Sequence, residues 1–318
     1  MWRNIKHRLV SFPFVLGGVI VINFILYHLS PGDPSNRYFN PKYNQSAQQT
    51  VRQHMGMDRP LPLQLGDWLS RFIVGDFGYS WSRHRPVRDI LKEAIPATVE
   101  LAAASLLLTF SLGIGLGVIG GVYAQRPLGK WLSFLGLLFY SVPSFWLAMM
   151  LIYLFSLKLG WLPPSGQSSL VGNSASAVGT FTDHFRHLIM PAIVLGLSGS
   201  AAVFRVVQAN TCKVLNERFI LAARTRGLSR LSVILKHALK NILLPVITLF
   251  GLYFPFLLGG ALVVEVIFAW PGMGRIAYEA VMVKDFPVIM AVNYLVAVMV
   301  LFGSLSADLL YSRVDPRI

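Results

Sequence analysis

One segment of the sequence places small residues and cations at helical spacing between two long apolar runs. It extends from Glu217 to Pro245 and contains a single acid, Glu217. Ala222 and Ala223 lie about one helical turn before Gly227, and glycine readily adopts the left-handed conformation that ends a helix. The predicted face of this helix contains Phe219, Ala222, Ala223 and Arg226. The cations of the segment are Arg218, Arg224, Arg226, Arg230, Lys236 and Lys240.

These residue types favour non-covalent docking over catalysis. Small side chains on a short helix let the groove of another protein approach the helix backbone closely. The alternative is a surface helix that lies among lipid headgroups. The position of the segment between two apolar runs, together with its small residues, favours docking.

No catalytic or nucleotide-binding motif occurs elsewhere in the sequence. Gly129-Lys130-Trp131 does not complete a GxxxxGK[ST] loop, and Ser165 lacks the glycine spacing of a nucleophile elbow. The single cysteine, Cys212, excludes an intrachain disulfide and a cysteine-cluster metal site. His184 and His187 are predicted to lie in a solvated outer loop. We expect no catalytic residue, no metal site and no cofactor in this chain.

Four ionisable residues fall within or beside the apolar runs, where charge is costly and often functional. We favour a structural role for Glu100 and Glu265, near helix ends where water or a neighbouring helix satisfies them. For Asp308 we favour a structural pairing with Arg313 or with a lipid-facing lysine. The alternative is a role in substrate or proton transfer, but no carboxylate is clearly placed near mid-membrane. The four residues are His28, Glu100, Glu265 and Asp308.

The composition indicates a polytopic membrane protein. Of 318 residues, 54% are hydrophobic and only 13% are charged, against about 25% charged in soluble domains. We predict an all-α fold with six transmembrane helices. The first run lacks the cleavage pattern of a signal peptide, so we favour a retained helix. The predicted spans are 9–29, 97–123, 131–159, 188–209, 242–267 and 288–311.

Proline and turn residues subdivide the chain between these runs. Residues 30–95 form a long outer segment, in which QSAQQTVRQHMGM and LQLGDWLSRFIVGDFG are predicted as short helices. Pro96 suits the first turn of the second span, and Pro143 interrupts the third. We therefore predict two parts: 1–95, a transmembrane helix with an extracytoplasmic segment, and 96–318, a core of five transmembrane helices that carries the basic loop.

The formal net charge of +14 does not indicate a nucleic-acid partner, because of its distribution. With six spans and a cytoplasmic N-terminus, the cytoplasmic segments carry most of the unbalanced cations, and their only acids are Glu217 and Asp315. The outer cations are largely balanced by acids. This asymmetry follows the positive-inside rule and places both termini in the cytoplasm. The same cations can also contact anionic membrane lipid.

Ordered motifs along the whole chain carry a family resemblance. The segment FILAARTRGLSRLSVILKHALKNILLP resembles the EAA loop of the permeases of binding-protein-dependent ABC importers, here over about residues 210–241. The chain is most similar to the dipeptide, oligopeptide and nickel permeases, and to the first of the two permeases that such systems encode. The other matching motifs are LSPGDP, MDRPLPLQL, GDFGYSW, RPV, PATVELA, SVPSFWLA, LGWLPPSG, FAWPGMGR, KDFPV and DPRI.

The resemblance implies the type I permease fold of ABC importers and a set of partners. A substrate-binding protein delivers the solute from outside, a second homologous permease completes the pathway, and two ABC ATPase subunits dock on the EAA loops. ATP and Mg²⁺ would be bound by those ATPase subunits. The solutes of the family are dipeptides, oligopeptides, nickel chelates and glutathione-like molecules. The coupling residues that carry over are Phe219, Ala222, Ala223, Arg224, Gly227 and His237.

The chain departs from the general EAA pattern at three positions. Leu221 stands where the pattern has glutamate, and His237 and Lys240 stand where it has isoleucine and proline. These differences put in doubt the exact salt-bridge partners of the loop. Two alternatives remain open from the residues: an ion-coupled transporter or channel that works without an ATPase, and a membrane anchor for a sensor complex.

Overall fold

The computed structural model is predominantly helical over the residues that it describes, which are 2–29, 59–169, 177–258 and 261–314. Two short π-helices continue α-helices: Ile152–Lys158 follows the helix Ser144–Leu151, and Val233–Ala238 follows the helix Arg230–Ser232. The α-helices are α1 (Trp2–Leu29), α2 (Leu61–Ile73), α3 (Val87–Val122), α4 (Pro127–Ser141), α5 (Ser144–Leu151), α6 (Ala177–Leu215), α7 (Arg218–Thr225), α8 (Arg230–Ser232), α9 (Leu239–Leu258), α10 (Leu262–Ile267), α11 (Met273–Met282) and α12 (Phe286–Val314).

Four single helices in the described part of the chain are long and apolar enough to cross a membrane. Counting each of two bent helix pairs as one further span gives up to six. In the first pair, α4 and α5 with its π-helix meet at 100°, where Pro143 precedes α5. In the second pair, Arg230–Leu243 and Pro245–Tyr253 meet at 50°. The predicted all-α architecture is confirmed, and the described residues hold four to six candidate spans, a range that includes the predicted six.

Two boundary predictions were wrong, because both helices begin with an amphipathic stretch before the apolar run. Pro96 lies inside α3, which begins at Val87. The buried residues Val87, Ile90, Leu91 and Ala94 have the i, i+3, i+4, i+7 spacing of a helix. Similarly, α6 begins at Ala177 and not near residue 188. The predicted helix QSAQQTVRQHMGM lies outside the described residues.

The prediction of a solvated loop for His184 and His187 was also wrong. Both lie in α6, and His187 is only 5% exposed, with its Nδ1 donating to the Asp183 carbonyl at 2.8 Å. The ring of His184 contacts the Glu100 carboxylate through Nε2 and the Gln167 carbonyl through Nδ1. The early start of α6 explains both, since the extra turns bring polar side chains against α3 and the preceding loop.

The chain forms two compact units. One unit comprises Trp2–Glu93 and Ile276–Val298, with Ile20, Phe72 and Met290 in its core. In this unit the buried Asp285 accepts hydrogen bonds from Ser80 Oγ at 2.6 Å and from the amide and hydroxyl of Ser82 at 2.9 and 2.6 Å. The Asp285 carboxylate, which belongs to the motif KDFPV, therefore joins that motif to Ser80 of the motif GDFGYSW and to Ser82 just after it.

The second unit contains Ala94–Arg275 and the chain from Met299 onward, and it is organised by close packing of α3 on α6. Glycines on α3 face branched side chains on α6 at the same four-residue interval. A Cβ atom added at Gly113 would lie 2.6 Å from Val203 Cβ, and one at Gly117 would lie 2.7 Å from Val207 Cβ. Gly121 faces Thr211 in the same way. Only hydrogen fits at these positions.

The same contact continues with the roles of the two helices exchanged. Gly196 and Gly199 lie on α6 and face Leu108 and Thr109 on α3. A Cβ atom at Gly196 would lie 2.6 Å from Leu108 Cβ, and one at Gly199 would lie 2.7 Å from Thr109 Oγ1. Each helix therefore fits side chains of its partner into gaps left by its own glycines, over most of their shared length.

The carboxylate of Glu265 organises the turn between α10 and α11. It is fully buried and accepts the main-chain N–H of Arg275 at 3.0 Å and the hydroxyl of Thr98 at 3.3 Å. Thr98 Oγ1 in turn accepts the Met273 amide at 2.7 Å, and the Trp270 indole donates to the Ala97 carbonyl at 2.8 Å. The start of α11 is thus held against α3 by a carboxylate at a helix N-terminus.

The glycine contacts predict a sharp difference between two neighbouring positions on α3. Gly117→Ala forces a methyl group against Val207 and should destabilise the protein by about 1–3 kcal/mol. Gly115→Ala is the matched control, since a Cβ atom there meets nothing within 4 Å. Thermal unfolding of the purified protein in detergent measures both. Equal melting temperatures for the two variants would contradict the close-packing account.

The buried carboxylate predicts a graded loss at Glu265. Glu265→Ala leaves the donors of Thr98 and Arg275 without an acceptor, at a cost of about 3 kcal/mol or more. Glu265→Gln keeps the size and one acceptor oxygen, so its melting temperature should fall less. If Gln proved as damaging as Ala, charge and not hydrogen bonding would be the requirement.

Candidate coupling surface

The predicted helix stop at Gly227 is present in the structure. α7 ends at Thr225, the Gly227 amide donates to the Arg224 carbonyl at 3.0 Å, and Gly227 has a φ of +78°. A Cβ atom at this position would meet no neighbour within 4 Å. The glycine is therefore required by backbone conformation and not by space.

The structure divides the predicted face of α7 into two. Ile220 is completely buried and Ala223 is 6% exposed, and both belong to a core cluster with residues of α6 and α9 such as Val207 and Ile242. Ala222 lies on the exposed side of the helix. The exposed side also presents Phe219, Arg224 and Arg226. Ala223 thus seats the helix on its own chain, whereas Ala222 is available to a partner.

Exposed leucines extend this surface beyond α7. Ser229 begins α8, where its hydroxyl accepts the Ser232 amide at 3.3 Å. Leu231 and Leu235 follow with 66% and 55% of their surface exposed, and His237 is exposed in the π-helix. We call the exposed apolar and basic side chains of 218–240 the coupling surface. It contains Arg218, Phe219, Leu221, Ala222, Arg224, Arg226, Leu228, Arg230, Leu231, Leu235, Lys236, His237 and Lys240.

Arg230 attaches the coupling surface to the connection between α3 and α4, where Arg126 shares its aromatic partner. Arg230 donates through Nη2 to the Val122 carbonyl at 3.1 Å, and its guanidinium lies 5.0 Å from the centre of the Tyr123 ring. Arg126 lies 5.5 Å from the same ring centre. Cation–π contacts of this kind are worth about 0.5–1 kcal/mol at exposed sites. α8 is therefore tied directly to the C-terminal end of α3.

A second attachment joins α6 to the start of α9. The amide of Asn210 donates to the carbonyls of Asn241 and Ile242, each at 3.1 Å. These two carbonyls lie just before Pro245, which has no amide hydrogen for a helical bond. Tyr123 and Asn210 were missed from the sequence because each acts on a residue far away along the chain. The exposed leucines could have been found from the sequence, because they are apolar residues within a cationic segment.

The structure gives structural partners to most of the ionisable residues near the apolar runs. Glu265 is a helix-capping carboxylate and Glu100 pairs with His184, as described above. His28 Nδ1 donates to the Phe24 carbonyl one turn earlier at 2.9 Å. The side chain of Asp308 lies outside the described residues. In the part of the chain that the structure describes, no three His, Cys, Asp or Glu side chains are grouped to hold a metal ion.

Comparison with known families places nearly the whole chain. Residues 113–318 match the family described as binding-protein-dependent transport system inner membrane component. Residues 1–102 match the N-terminal region of the same class of membrane component. The second match includes the first span, and the first match includes the coupling surface.

Relatives and a solved structure agree with this match. The chain is 37% identical to the oligopeptide transport system permease protein AppB of Bacillus subtilis (strain 168), over 99% of this chain and 98% of that protein. It is 35% identical to the glutathione transport system permease protein GsiC of Escherichia coli (strain K12), over 100% of this chain and 99% of that protein.

The inward-facing MetNI methionine ABC transporter shares the fold, with a TM-score of 0.57, 17% identity, and coverage of 71% of this chain and 96% of that one. The two family matches and the two full-length relatives lead to one assignment. The chain belongs to the inner-membrane permeases of bacterial binding-protein-dependent ABC importers, in the dipeptide, oligopeptide and nickel subfamily, and it is a multi-pass membrane protein.

Proposed function

We propose that this chain forms, with a second homologous permease, the pathway of a bacterial peptide importer driven by separate ATPase subunits. An extracytoplasmic substrate-binding protein would deliver the solute to it. The observation that carries the proposal is the coupling surface: apolar and cationic side chains are exposed on a short helix whose other side is locked into the core. An unpartnered apolar surface of this kind is typical of a protein interface.

The buried side of α7 supplies the route by which docking would act on the spans. Ile220 and Ala223 pack with residues of α6 and α9 in one cluster, so α7 cannot shift without displacing those helices. Arg230 adds a direct attachment to the end of α3. ATP binding would draw the coupling surfaces of the two permeases together, and the pathway would change from inward-facing to outward-facing.

The position of each residue supports a distinct proposed role in coupling. Phe219, Ala222 and Arg224 would contact the ATPase directly, with His237 on the adjoining π-helix. Gly227 would set the angle between α7 and α8. Ala223 would act from inside, by seating α7 on the core. ATP and Mg²⁺ would be held by the ATPase subunits, whose contact with Ala222 we expect to be close.

The orientation belongs to the same proposal. An ATPase in the cytoplasm requires the coupling surface there, so both termini would be cytoplasmic, as the positive-inside distribution indicates. Residues 1–95 would then place α2 and the loop around Ser80 outside, next to the pathway or the binding protein, and residues 96–318 would form the core.

Peptides are the proposed solute class, because the two relatives are named for oligopeptide and glutathione transport. Glutathione is itself a small peptide, so both names fit a pathway for short peptides. Nickel chelates remain within the proposal as small solutes of the subfamily. An ion-coupled carrier is a weaker candidate, since Glu265 is fully engaged as a helix cap.

Ala222→Trp tests the proposal. The side chain is exposed in this chain, so insertion and thermal stability should be unchanged, while the added bulk blocks close approach of the ATPase. We expect docking to weaken by about 2 kcal/mol, or roughly thirtyfold. Peptide uptake and substrate-stimulated ATP hydrolysis of the reconstituted complex should fall together.

Two further variants separate docking from folding. Gln125→Trp adds the same bulk at an exposed position between α3 and α4, outside the coupling surface, and should leave uptake unchanged. Ala223→Glu buries a charge in the core and should lower the melting temperature of the permease itself. Normal uptake and ATP hydrolysis by a stable Ala222→Trp complex would exclude the proposed interface.

A further inference from the structure

The beginning of α4 combines an open groove, aromatic side chains and a cation, outside the coupling surface. The groove is shallow and open, with a volume of about 510 Å³, and its lining residues all lie on α4: Pro127, Lys130, Trp131 and Phe134. Trp131 is 61% exposed and Phe134 is 56% exposed, and the two rings meet edge to face with centres 5.6 Å apart. Within the described part of this unit, each ring therefore keeps more than half of its surface exposed.

An exposed apolar stripe continues from the groove along α4. Trp131, Phe134 and Leu138 follow the i, i+3, i+7 spacing of one helix face, and all three are exposed. α4 has 15 residues and is therefore about 22 Å long. The hydrocarbon of one leaflet is about 15 Å thick. The stripe is long enough to accompany an acyl chain from the headgroup layer to the middle of the bilayer.

The polar end of the stripe is cationic and has no acids nearby in the sequence. No Asp or Glu occurs between Glu100 and Asp183. Among the described residues, neither Arg126 nor Lys130 forms a salt bridge. Arg126 is the N-cap of α4 and Pro127 follows, with no side chain capping the first turn. The partial positive charge of the helix N-terminus therefore adds to the two cations.

We propose that this groove binds one anionic phospholipid. The phosphate lies between Lys130 and Arg126, and an acyl chain follows Trp131, Phe134 and Leu138. A lipid fits better than a second helix because the cations occupy one end of the groove and the apolar residues the other, which is the polarity of a lipid molecule. A lipid headgroup also fits better than a free phosphate, which would leave the apolar stripe uncovered.

Fluorescence quenching by brominated lipids tests this site in the purified importer complex. The probes are phosphatidylglycerol and phosphatidylcholine with the same brominated acyl chains. The signal of Trp131 is the difference between the wild-type complex and Trp131→Phe. We expect phosphatidylglycerol to quench Trp131 at a lower mole fraction than phosphatidylcholine. Lys130→Ala should weaken phosphatidylglycerol binding about fivefold and leave phosphatidylcholine unchanged, since one cation near the membrane surface contributes about that factor.

Lys158→Ala is the matched control. Lys158 is an exposed lysine in the same acid-free stretch, but it lies at the end of the π-helix and its ammonium stacks on Tyr153 at 5.6 Å. This variant should bind phosphatidylglycerol normally. Lys130→Arg should retain binding, which separates charge from any change in folding.

Equal quenching by the two lipids would reduce the site to ordinary annular contact, and displacement of the lipid by millimolar inorganic phosphate would show a free-anion site. Either result overturns the proposal.

Discussion

The close packing of α3 against α6 is the constraint on which the rest of the core unit depends. Gly113, Gly117 and Gly121 admit side chains of α6, and glycines of α6 admit side chains of α3. Within a bilayer, no hydrophobic effect drives helices together, so the contact area gained by close approach must hold them. Glycine also destabilises a helix. Its repeated use here therefore indicates that close helix packing contributes more stability than the glycines remove.

This packing makes a local contact at the coupling surface matter far away. α7 is seated by Ile220 and Ala223 on the same α6 that carries the valines facing the glycines of α3. Arg230 reaches the end of α3 independently. A push on α7 therefore meets two helices already joined along their length, and rigid packed elements of this kind are suited to carry a displacement. The buried Glu265 extends the connection, since it holds the start of α11 against the same α3.

The sequence predicted the all-α class and the left-handed glycine that follows α7, because hydropathy and helix-stop patterns are local. It failed where polar residues continue a helix past its apolar run, as at Val87 and Ala177. It also failed for partnerships between distant residues. His184 is a polar residue in a turn-rich region when read alone, but it is paired with Glu100 once α6 is built. The sequence alone did not show that Ala222 is exposed while Ala223 is buried, because that difference depends on how α7 packs on the core.

The proposed function depends above all on one contact, between a partner ATPase and the exposed side of α7. A photo-reactive amino acid placed at Ala222 in the assembled importer tests it most directly, with the same group at Ala103, an exposed alanine on α3, as the comparison. We expect a cross-link from position 222 to the ATPase subunit and none from position 103. Cross-linking of position 222 to lipid alone, with no ATPase product in a complex that hydrolyses ATP, would contradict it.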